Sequence, residues 1–159
     1  MVTGELLYRV WEAVVGSHIA GVTFTHDTNK LLDRDAQMKF PACGWKLPTA
    51  GLVPAASVYM DSYRISMLFV DQTASDRDPV EMLSAHARME AIAKQCFIRF
   101  SDLYIHETTA FEGVDVDLKL TGNPVFTPMW DDGETMLTGV MLAFTVEANE
   151  VECVDAYFA

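Results

Sequence analysis

The sequence predicts an α+β fold, in which a mixed or antiparallel sheet is packed by two main helices. Two segments repeat apolar residues at the helical period of 3.6, and three others alternate apolar and polar residues at the strand period of two. Together with weaker signals they follow the order α-β-β-(loop)-β-α-β-β(-β). The chain has 159 residues, half of them hydrophobic, which is enough for one core, so we expect a single α+β domain over residues 1–159.

The first helix is predicted near the start of the chain. Its apolar residues recur at i, i+1, i+4 and i+5, which places them on one stripe of a helix: Leu6, Leu7, Val10, Trp11, Val14 and Val15. Thr3 is a suitable N-cap, because its hydroxyl can accept a hydrogen bond from a free amide of the first turn. Gly16 is a suitable C-terminal end for this helix.

The next stretch gives weaker patterns. A short alternating run over residues 22–26, a polar turn at residues 27–29 and a second run near residues 38–40 predict a hairpin. Prolines and glycines then interrupt the chain repeatedly, at Pro41, Gly44, Pro48, Gly51 and Pro54. We therefore expect a long irregular loop at about residues 41–56, of a length that usually serves binding or assembly.

The remaining strands have clearer patterns. Residues 57–71 alternate, and their end, at residues 68–70, is apolar on both faces, which predicts that it lies inside the sheet. Two further alternating strands are predicted over residues 114–121 and 136–146. We expect a final short strand at residues 151–154 to close an edge of the sheet.

The second helix is predicted to begin after Asp78. This residue can cap the helix, and Pro79 suits its first position because a proline lacks an N–H that would remain unbonded there. Behind them runs a wide apolar stripe, formed by Met82, Ala85, Met89, Ile92, Ala93, Cys96, Phe97 and Phe100. The helix should run to about Leu103 and pack on the sheet.

Composition excludes several classes of protein. The formal charge is −12, whereas a surface that grips nucleic acid must be positive to neutralise phosphates. Apolar runs are much shorter than the roughly 20 residues of a membrane-spanning helix, and the first residues lack the basic region of a signal peptide, so we expect a soluble protein of intracellular origin and no membrane partner. Cys43, Cys96 and Cys153 form no CxxC pair and are expected to be buried free thiols.

No pattern of catalytic or metal-binding residues is recognisable, so we expect no enzyme and no cofactor. The four histidines lack the spacing of a zinc site, and His86, beside the apolar stripe of the second helix, is interpreted as packing or forming an edge hydrogen bond. The densest acidic group could gather oxygen ligands for calcium but lacks the spacing of an EF-hand: Asp115, Asp117, Asp131, Asp132 and Glu134.

Residues 40–48 combine aromatic residues with prolines. Phe40, Trp45 and Leu47 on such a stiff segment would be good interface anchors, because little conformational entropy is lost when they bind. An equally weighted alternative is a loop folded back over its own core.

Three segments carry a family resemblance: residues 40–48, residues 63–70 leading into Asp78-Pro79, and residues 124–146, in which a two-acid turn precedes a Thr-Gly-Val strand, with Cys153 following. With the order of elements, they make the chain similar to tail terminator or tail-completion proteins at the head-proximal end of long-tailed phage tails, and to their neighbours in the neck. The resemblance covers most of the chain.

This resemblance implies a virion structural protein, made in the host cytoplasm, that forms a homo-oligomeric ring, typically a hexamer. The ring would cap the tail tube, dock to a neck or head-completion protein, and let DNA pass through its lumen without specific binding, which an acidic chain suits. The expected interface includes Phe40, Trp45, Leu47, Trp130, Asp131 and Asp132. The alternatives are another neck or tail-tube protein, a stand-alone bacterial ligand-binding or accessory domain, and an enzyme that uses the acidic group with a divalent ion.

Overall fold

The fold is α+β, as predicted: in the part of the chain that the structure describes, two long helices accompany a six-stranded mixed sheet. The computed structural model describes residues 1–26, 28, 31, 38–73, 78–130 and 136–151, the side chain of Trp130 excepted. Helix α1 spans Gly4–Gly16 and helix α2 spans Pro79–Tyr104. The strands are β1 Thr23–Thr25, β2 Ala42–Trp45, β3 Thr49–Ala55, β4 Val58–Gln72, β5 Thr109–Phe111, β6 Val114–Val116, β7 Lys119–Trp130 and β8 Leu137–Val151.

Both helices begin at the residues that the sequence predicts. The hydroxyl of Thr3 accepts a hydrogen bond from the Leu6 amide at 3.1 Å, and the Asp78 carboxylate accepts one from the Val80 amide at 3.0 Å. These bonds occupy amides that have no partner within the helix. The predicted end of the second helix, Leu103, lies one residue before the observed end.

The main sheet has the strand order β1-β2-β4-β8-β7, and β3 pairs with the first half of β4. Only the β1–β2 pair is parallel among these pairings, and the others are antiparallel. The long central strands β4 and β8 pair from Tyr59 opposite Val151 to Gln72 opposite Leu137. A separate hairpin joins β5 and β6 through Glu112 and Gly113, both with positive φ, as a tight two-residue turn requires.

The main core lies between the two helices and one face of β4 and β8. All six apolar residues of the predicted α1 stripe are buried there. The alternation predicted for the last strand is confirmed from Val140 onward, since Val140, Leu142, Phe144 and Val146 are buried and the residues between them are only partly buried, whereas residues 137–140 are all buried. Trp11 stacks on Phe100 of α2 with ring centroids 4.7 Å apart, which joins the helices to each other.

A smaller cluster covers the opposite face of the sheet. Leu68 and Val70 are buried there with Ala42, Leu31 and Leu137, and Met38, Phe40, Met129 and Met141 pack against them. Because the other face of β4 contacts the main core, the end of this strand is covered on both sides. The prediction that it lies inside the sheet is therefore confirmed.

Two predictions for the region before β4 are wrong. The strand over residues 23–25 pairs in parallel with β2, so the two do not form a hairpin. Residues 41–56 are not an irregular loop, since they include β2 and β3, and β3 forms a hairpin with β4. In β2 all four residues are buried, so this strand has no alternating pattern. The turn expected at residues 27–29 lies largely outside the described residues.

The C-terminal third differs from expectation in detail. Residues 114–121 are not one strand, because the chain leaves β6 after Val116 and enters β7 at Lys119. Between them the Leu118 amide donates a hydrogen bond to the Tyr104 carbonyl at 2.7 Å, which attaches this link to the end of α2. β8 continues to Val151, where we had expected a separate short strand to begin, and residues 152–154 lie outside the described residues.

Candidate assembly surface

An exposed hairpin extends beyond the helices at one end of the sheet. From Thr49 to Arg64 no residue is buried, although both strands are paired, so neither face of the sheet is fully covered there. Residues 47–60, which we call the arm, contain no acidic, basic or histidine side chain, whereas the whole chain carries 34 charged residues. Exposed edge strands usually carry charges that prevent association. An uncharged and exposed arm is therefore a candidate contact surface.

Leu52, Pro54 and Tyr59 of the arm share one face of the sheet, and Val53, Val58 and Met60 lie on the other face. Leu52 lies directly opposite Asp61, and Pro54 directly opposite Tyr59, so these residues point to the same side. Leu52 is 57% exposed and Tyr59 is 52% exposed. The same face continues through Tyr63 into the main core, where Ile65 is buried. The arm thus extends the core face of the sheet into solvent.

A groove lies at the base of the arm, with a volume of about 570 Å³, and we call it the basal groove. Its lining residues are Gly4, Glu5, Tyr8, His26, Trp45, Leu47, Pro48 and Tyr63. The Tyr8 and Trp45 rings meet edge to face, with centroids 6.1 Å apart. Desolvation raises the pKa of Tyr63 and of Tyr8, and the Tyr8 hydroxyl also donates to Glu12. The groove wall is mainly apolar, with Glu5 and His26 as its titratable residues apart from the two tyrosines.

The backbone edge of the arm offers few hydrogen bonds. Ala55 and Val58 pair across a two-residue turn, so alternate residues of β3 direct their N–H and C=O groups outward: Ala50, Leu52 and Pro54. Pro54 has no N–H. The opposite edge of the sheet, β7, has Pro124 and Pro128 and a register shift between Thr121 and Val125. Prolines and bulges both hinder the addition of another strand.

A second apolar surface lies at the other end of the sheet, where α2 begins. Its centre is a pocket of about 250 Å³ lined by Met82, Leu83, His86, Pro128, Met129 and Thr138. Leu83 is 69% exposed, and Val80, one turn earlier, is also exposed. We call Val80, Met82, Leu83, Pro128 and Met129 the α2 patch. The pocket lies between the second helix and the sheet.

The residues that the sequence predicts at an interface differ in how much of each side chain is exposed. Trp45 is only 2% exposed and packs against Tyr8 and Phe24, so it belongs to the core of its own chain. Phe40 is half-buried against the smaller cluster. Leu47, in contrast, is 91% exposed at the rim of the basal groove. Residues 40–48 therefore pack Trp45 into the core of their own chain and present Leu47 to solvent.

The other expected interface residues are not placed. Asp131, Asp132 and the side chain of Trp130 lie outside the described part of the chain. The sequence pattern does not indicate Leu52 and Tyr59 of the arm as interface residues, because its prolines and glycines predict a loop where β3 lies. The absence of charge over residues 47–60 was visible in the sequence and could have indicated them.

Two of the four histidines have side-chain hydrogen-bond partners within the fold. The Nδ1 atom of His86 lies 3.0 Å from the Gly139 carbonyl oxygen, which confirms the edge hydrogen bond. The Nε2 atom of His18 lies 2.7 Å from the Gln95 amide oxygen. Within the described residues there is no cluster of three or more potential metal ligands. Asp131, Asp132 and Glu134 of the acidic group lie outside them.

Cys43 and Cys96 are buried free thiols, as predicted, and Cys153 lies outside the described residues. Burial raises the pKa of the Cys96 thiol to about 12, and burial together with nearby Cys96 raises the pKa of Cys43 well above the usual 9.0. Neither thiol is a nucleophile at neutral pH, because the thiolate is the reactive form.

The two thiols should make the protein less stable at alkaline pH. Between pH 9 and pH 12 the folded chain keeps a Cys96 proton that the unfolded chain loses, so rising pH favours unfolding. We expect the free energy of unfolding to fall by up to about 1.4 kcal/mol per pH unit for each thiol. Urea unfolding at several pH values checks this. In the control variant Cys96→Ala, the free energy of unfolding should fall less steeply with pH. Rapid labelling of Cys96 at pH 8 in the native state would contradict it.

In the described part of the chain, no helix is long and apolar enough to cross a membrane. Comparison of the sequence with models of protein families gives no match, and comparison with curated proteins gives none either.

Proposed function

We propose that this chain is a structural protein of a long-tailed phage, similar to tail terminators, that assembles into a ring of identical copies. The ring, typically a hexamer in the family that the sequence resembles, would cap the tail tube and dock it to a neck or head-completion protein. The observation that carries the proposal is the arm: an exposed, uncharged hairpin in a chain of net charge −12.

Charge explains why the arm favours self-association. Two copies that each carry −12 repel one another over most of their surfaces, and desolvating an unpaired charge in a contact costs further free energy. A contact confined to residues 47–60 avoids both costs, and the acidic Asp61 opposite Leu52 accepts a hydrogen bond from the Asn149 side chain. Leu47, Leu52 and Tyr59 supply apolar area that such a contact would remove from water. The contact between copies is therefore expected to include the arm.

The acidic balance also supports a role around DNA. A ring through which a genome passes must not bind phosphates tightly, and a chain with 23 acidic and 11 basic residues meets this requirement. The partners expected from the resemblance are the tail tube protein below the ring and a neck or head-completion protein above it.

The proposal is tested by the mass of the purified protein in solution. We expect the wild-type chain to form an oligomer, alone or with tail tube protein, as measured by size-exclusion chromatography with light scattering. Leu52→Glu places a charge in the arm and should raise the concentration at half-dissociation by about tenfold or more. Ile19→Glu, at a fully exposed site away from the arm, is the matched control and should assemble as the wild type does. A wild-type chain that stays monomeric both alone and with tail tube protein would contradict the proposal.

Ligand binding is a second candidate function, supported by the basal groove. Its volume of about 570 Å³ falls within the roughly 300–1,000 Å³ common for small-molecule sites, and three aromatic rings line it. The pocket at the α2 patch, about 250 Å³, is below that range. A monomeric chain whose groove binds a small apolar fluorophore, with binding lost in Tyr63→Ala, would favour this candidate.

A further inference from the structure

We infer that Asn149 links the N-terminal segment to the base of the arm, and that this link fixes the direction in which the arm leaves the rest of the protein. Asn149, Val2 and Asp61 form the link, and we call these three residues the clasp. Its consequence for assembly rests on the proposed function, whereas its effect on the arm is measurable in a single copy of the chain.

The side chain of Asn149 forms three hydrogen bonds. Its Oδ1 accepts one from the Val2 amide at 3.0 Å, and its Nδ2 donates to the Val2 carbonyl at 2.7 Å and to Oδ2 of Asp61 at 3.0 Å. Both donors of the amide group are therefore used. Val2 is bonded through its N–H and its C=O, as a residue of a paired strand is, and its side chain is buried in the main core. The clasp thus attaches the arm to the core.

A β-bulge lies at the clasp. The register of β4 and β8 shifts between Met60 and Ser62, so that two residues of β8, Ala148 and Asn149, lie opposite Asp61. A bulge bends its strand and increases the local twist. The direction of the sheet beyond the bulge therefore depends on the conformation at this point, which the hydrogen bonds of the Asn149 side chain hold in place.

The sheet also becomes narrower at the clasp. β7 pairs with β8 as far as Glu147, and beyond the bulge β8 pairs with Tyr59 and Met60 of the arm. No residue of β4 from Val58 to Arg64 is buried. Among the described residues, the sheet at the arm therefore has neither β7 beside it nor a buried side chain of β4 to fix its direction. The clasp supplies a contact from outside the sheet.

The clasp joins the two walls of the basal groove. Val2 lies two residues before Gly4, which belongs to the helical wall together with Tyr8. Asp61 lies two residues before Tyr63 of the strand wall, and residues two apart on a strand point to the same face. A movement of the arm relative to α1 would therefore change the width of the groove. The clasp couples the shape of the groove to the direction of the arm.

Hydrogen exchange measured by mass spectrometry tests the clasp. Asn149→Ala removes all three bonds, so the protected amides of the arm should exchange about tenfold faster or more. The chain is diluted until it is monomeric, so that contacts between copies do not protect the arm. Thr109→Val is the matched control, because it removes a side-chain bond of 2.6 Å to the Leu103 carbonyl in a separate hairpin. It should leave exchange in the arm unchanged. Wild-type exchange in Asn149→Ala would overturn the inference.

Exchanging the two polar side chains separates the specific bond from a general loss of stability. Asn149→Asp keeps an acceptor for the Val2 amide but removes both donors and places a second carboxylate beside Asp61. The arm should then exchange at least as fast as in Asn149→Ala. Adding Asp61→Asn removes the repulsion and restores one donor and one acceptor between the two positions, so part of the protection should return. If the double variant recovers no protection, the link between these positions does not hold the arm.

Assembly supplies a second measurement. Asn149→Ala should raise the concentration at half-dissociation by about tenfold or more, although Asn149 lies outside the arm, whereas Thr109→Val should assemble as the wild type does. Equal assembly of Asn149→Ala and wild type would overturn the positioning role and leave the proposed ring standing. A wild type that never assembles overturns the proposed function, and the exchange experiment then decides by itself whether the clasp holds the arm.

Discussion

Gly139→Ala is expected to abolish folding or to lower the free energy of unfolding by about 3 kcal/mol or more. A Cβ at this position would lie 1.9 Å from the Phe69 carbonyl oxygen and 2.8 Å from the Val70 Cα. Both are backbone atoms of β4, so no side-chain rotation can remove the clash. Gly139 pairs with Val70 on one side and Met129 on the other, and its carbonyl contacts His86, so any shift disturbs three elements.

Urea unfolding followed by circular dichroism measures this effect. Gly51→Ala is the matched control, because Gly51 is also in a strand and a Cβ there meets no atom within 4 Å. It should be neutral or slightly stabilising, since alanine restricts the unfolded chain more than glycine does. A Gly139→Ala variant within about 0.5 kcal/mol of the wild type would show that β4 and β8 do not pack as closely as described.

Trp11→Ala should lower the free energy of unfolding by about 3–5 kcal/mol, because it removes the largest buried side chain where α1, α2 and β8 meet. Trp11 is fully buried and lies 4.7 Å from the Phe100 ring and 5.7 Å from the Phe144 ring, centroid to centroid. Alanine would leave a cavity and would make neither aromatic contact. Thermal unfolding monitored by circular dichroism would measure the loss of stability.

Trp11→Phe should be much less damaging than Trp11→Ala. The indole Nε1 of Trp11 has no hydrogen-bond partner among the described residues, and a buried unbonded donor costs about 1–3 kcal/mol. Phenylalanine removes that donor while keeping a ring against Phe100. Removal of the unbonded N–H therefore offsets part of the stability lost because phenylalanine buries less apolar area. Equal destabilisation by both substitutions would indicate that the indole N–H is bonded in the folded protein.

The helices and the main strands could be predicted because their patterns are local. In α1 the apolar period and the Thr3 cap lie within 13 residues of one another, and in α2 Asp78 and Pro79 mark the first turn directly. β8 alternates because one of its faces meets the main core. In such elements the same residues determine both the conformation and the buried face.

β2 and β3 could not be predicted because their conformation depends on distant partners. Residues 42–45 contain alanine and glycine, which have weak strand propensity, and form a strand because β1 and β4 pair with them on both sides. β3 contains Gly51 and Pro54 and is exposed, and its pairing with β4 stabilises it. The candidate site was missed for the same reason, since the arm consists mainly of this hairpin.

The sequence by itself determined the α+β class, the two helices with their caps, the buried end of β4 and the alternating face of β8. It also determined how charge is distributed along the chain, including its absence over residues 47–60. Only the tertiary structure decided that Trp45 packs inward while Leu47, Leu52 and Tyr59 face solvent, and that the α2 patch lies at the opposite end of the sheet from the arm. The physical reason is that periodicity records which side of an element is apolar, whereas exposure depends on which other elements cover that side.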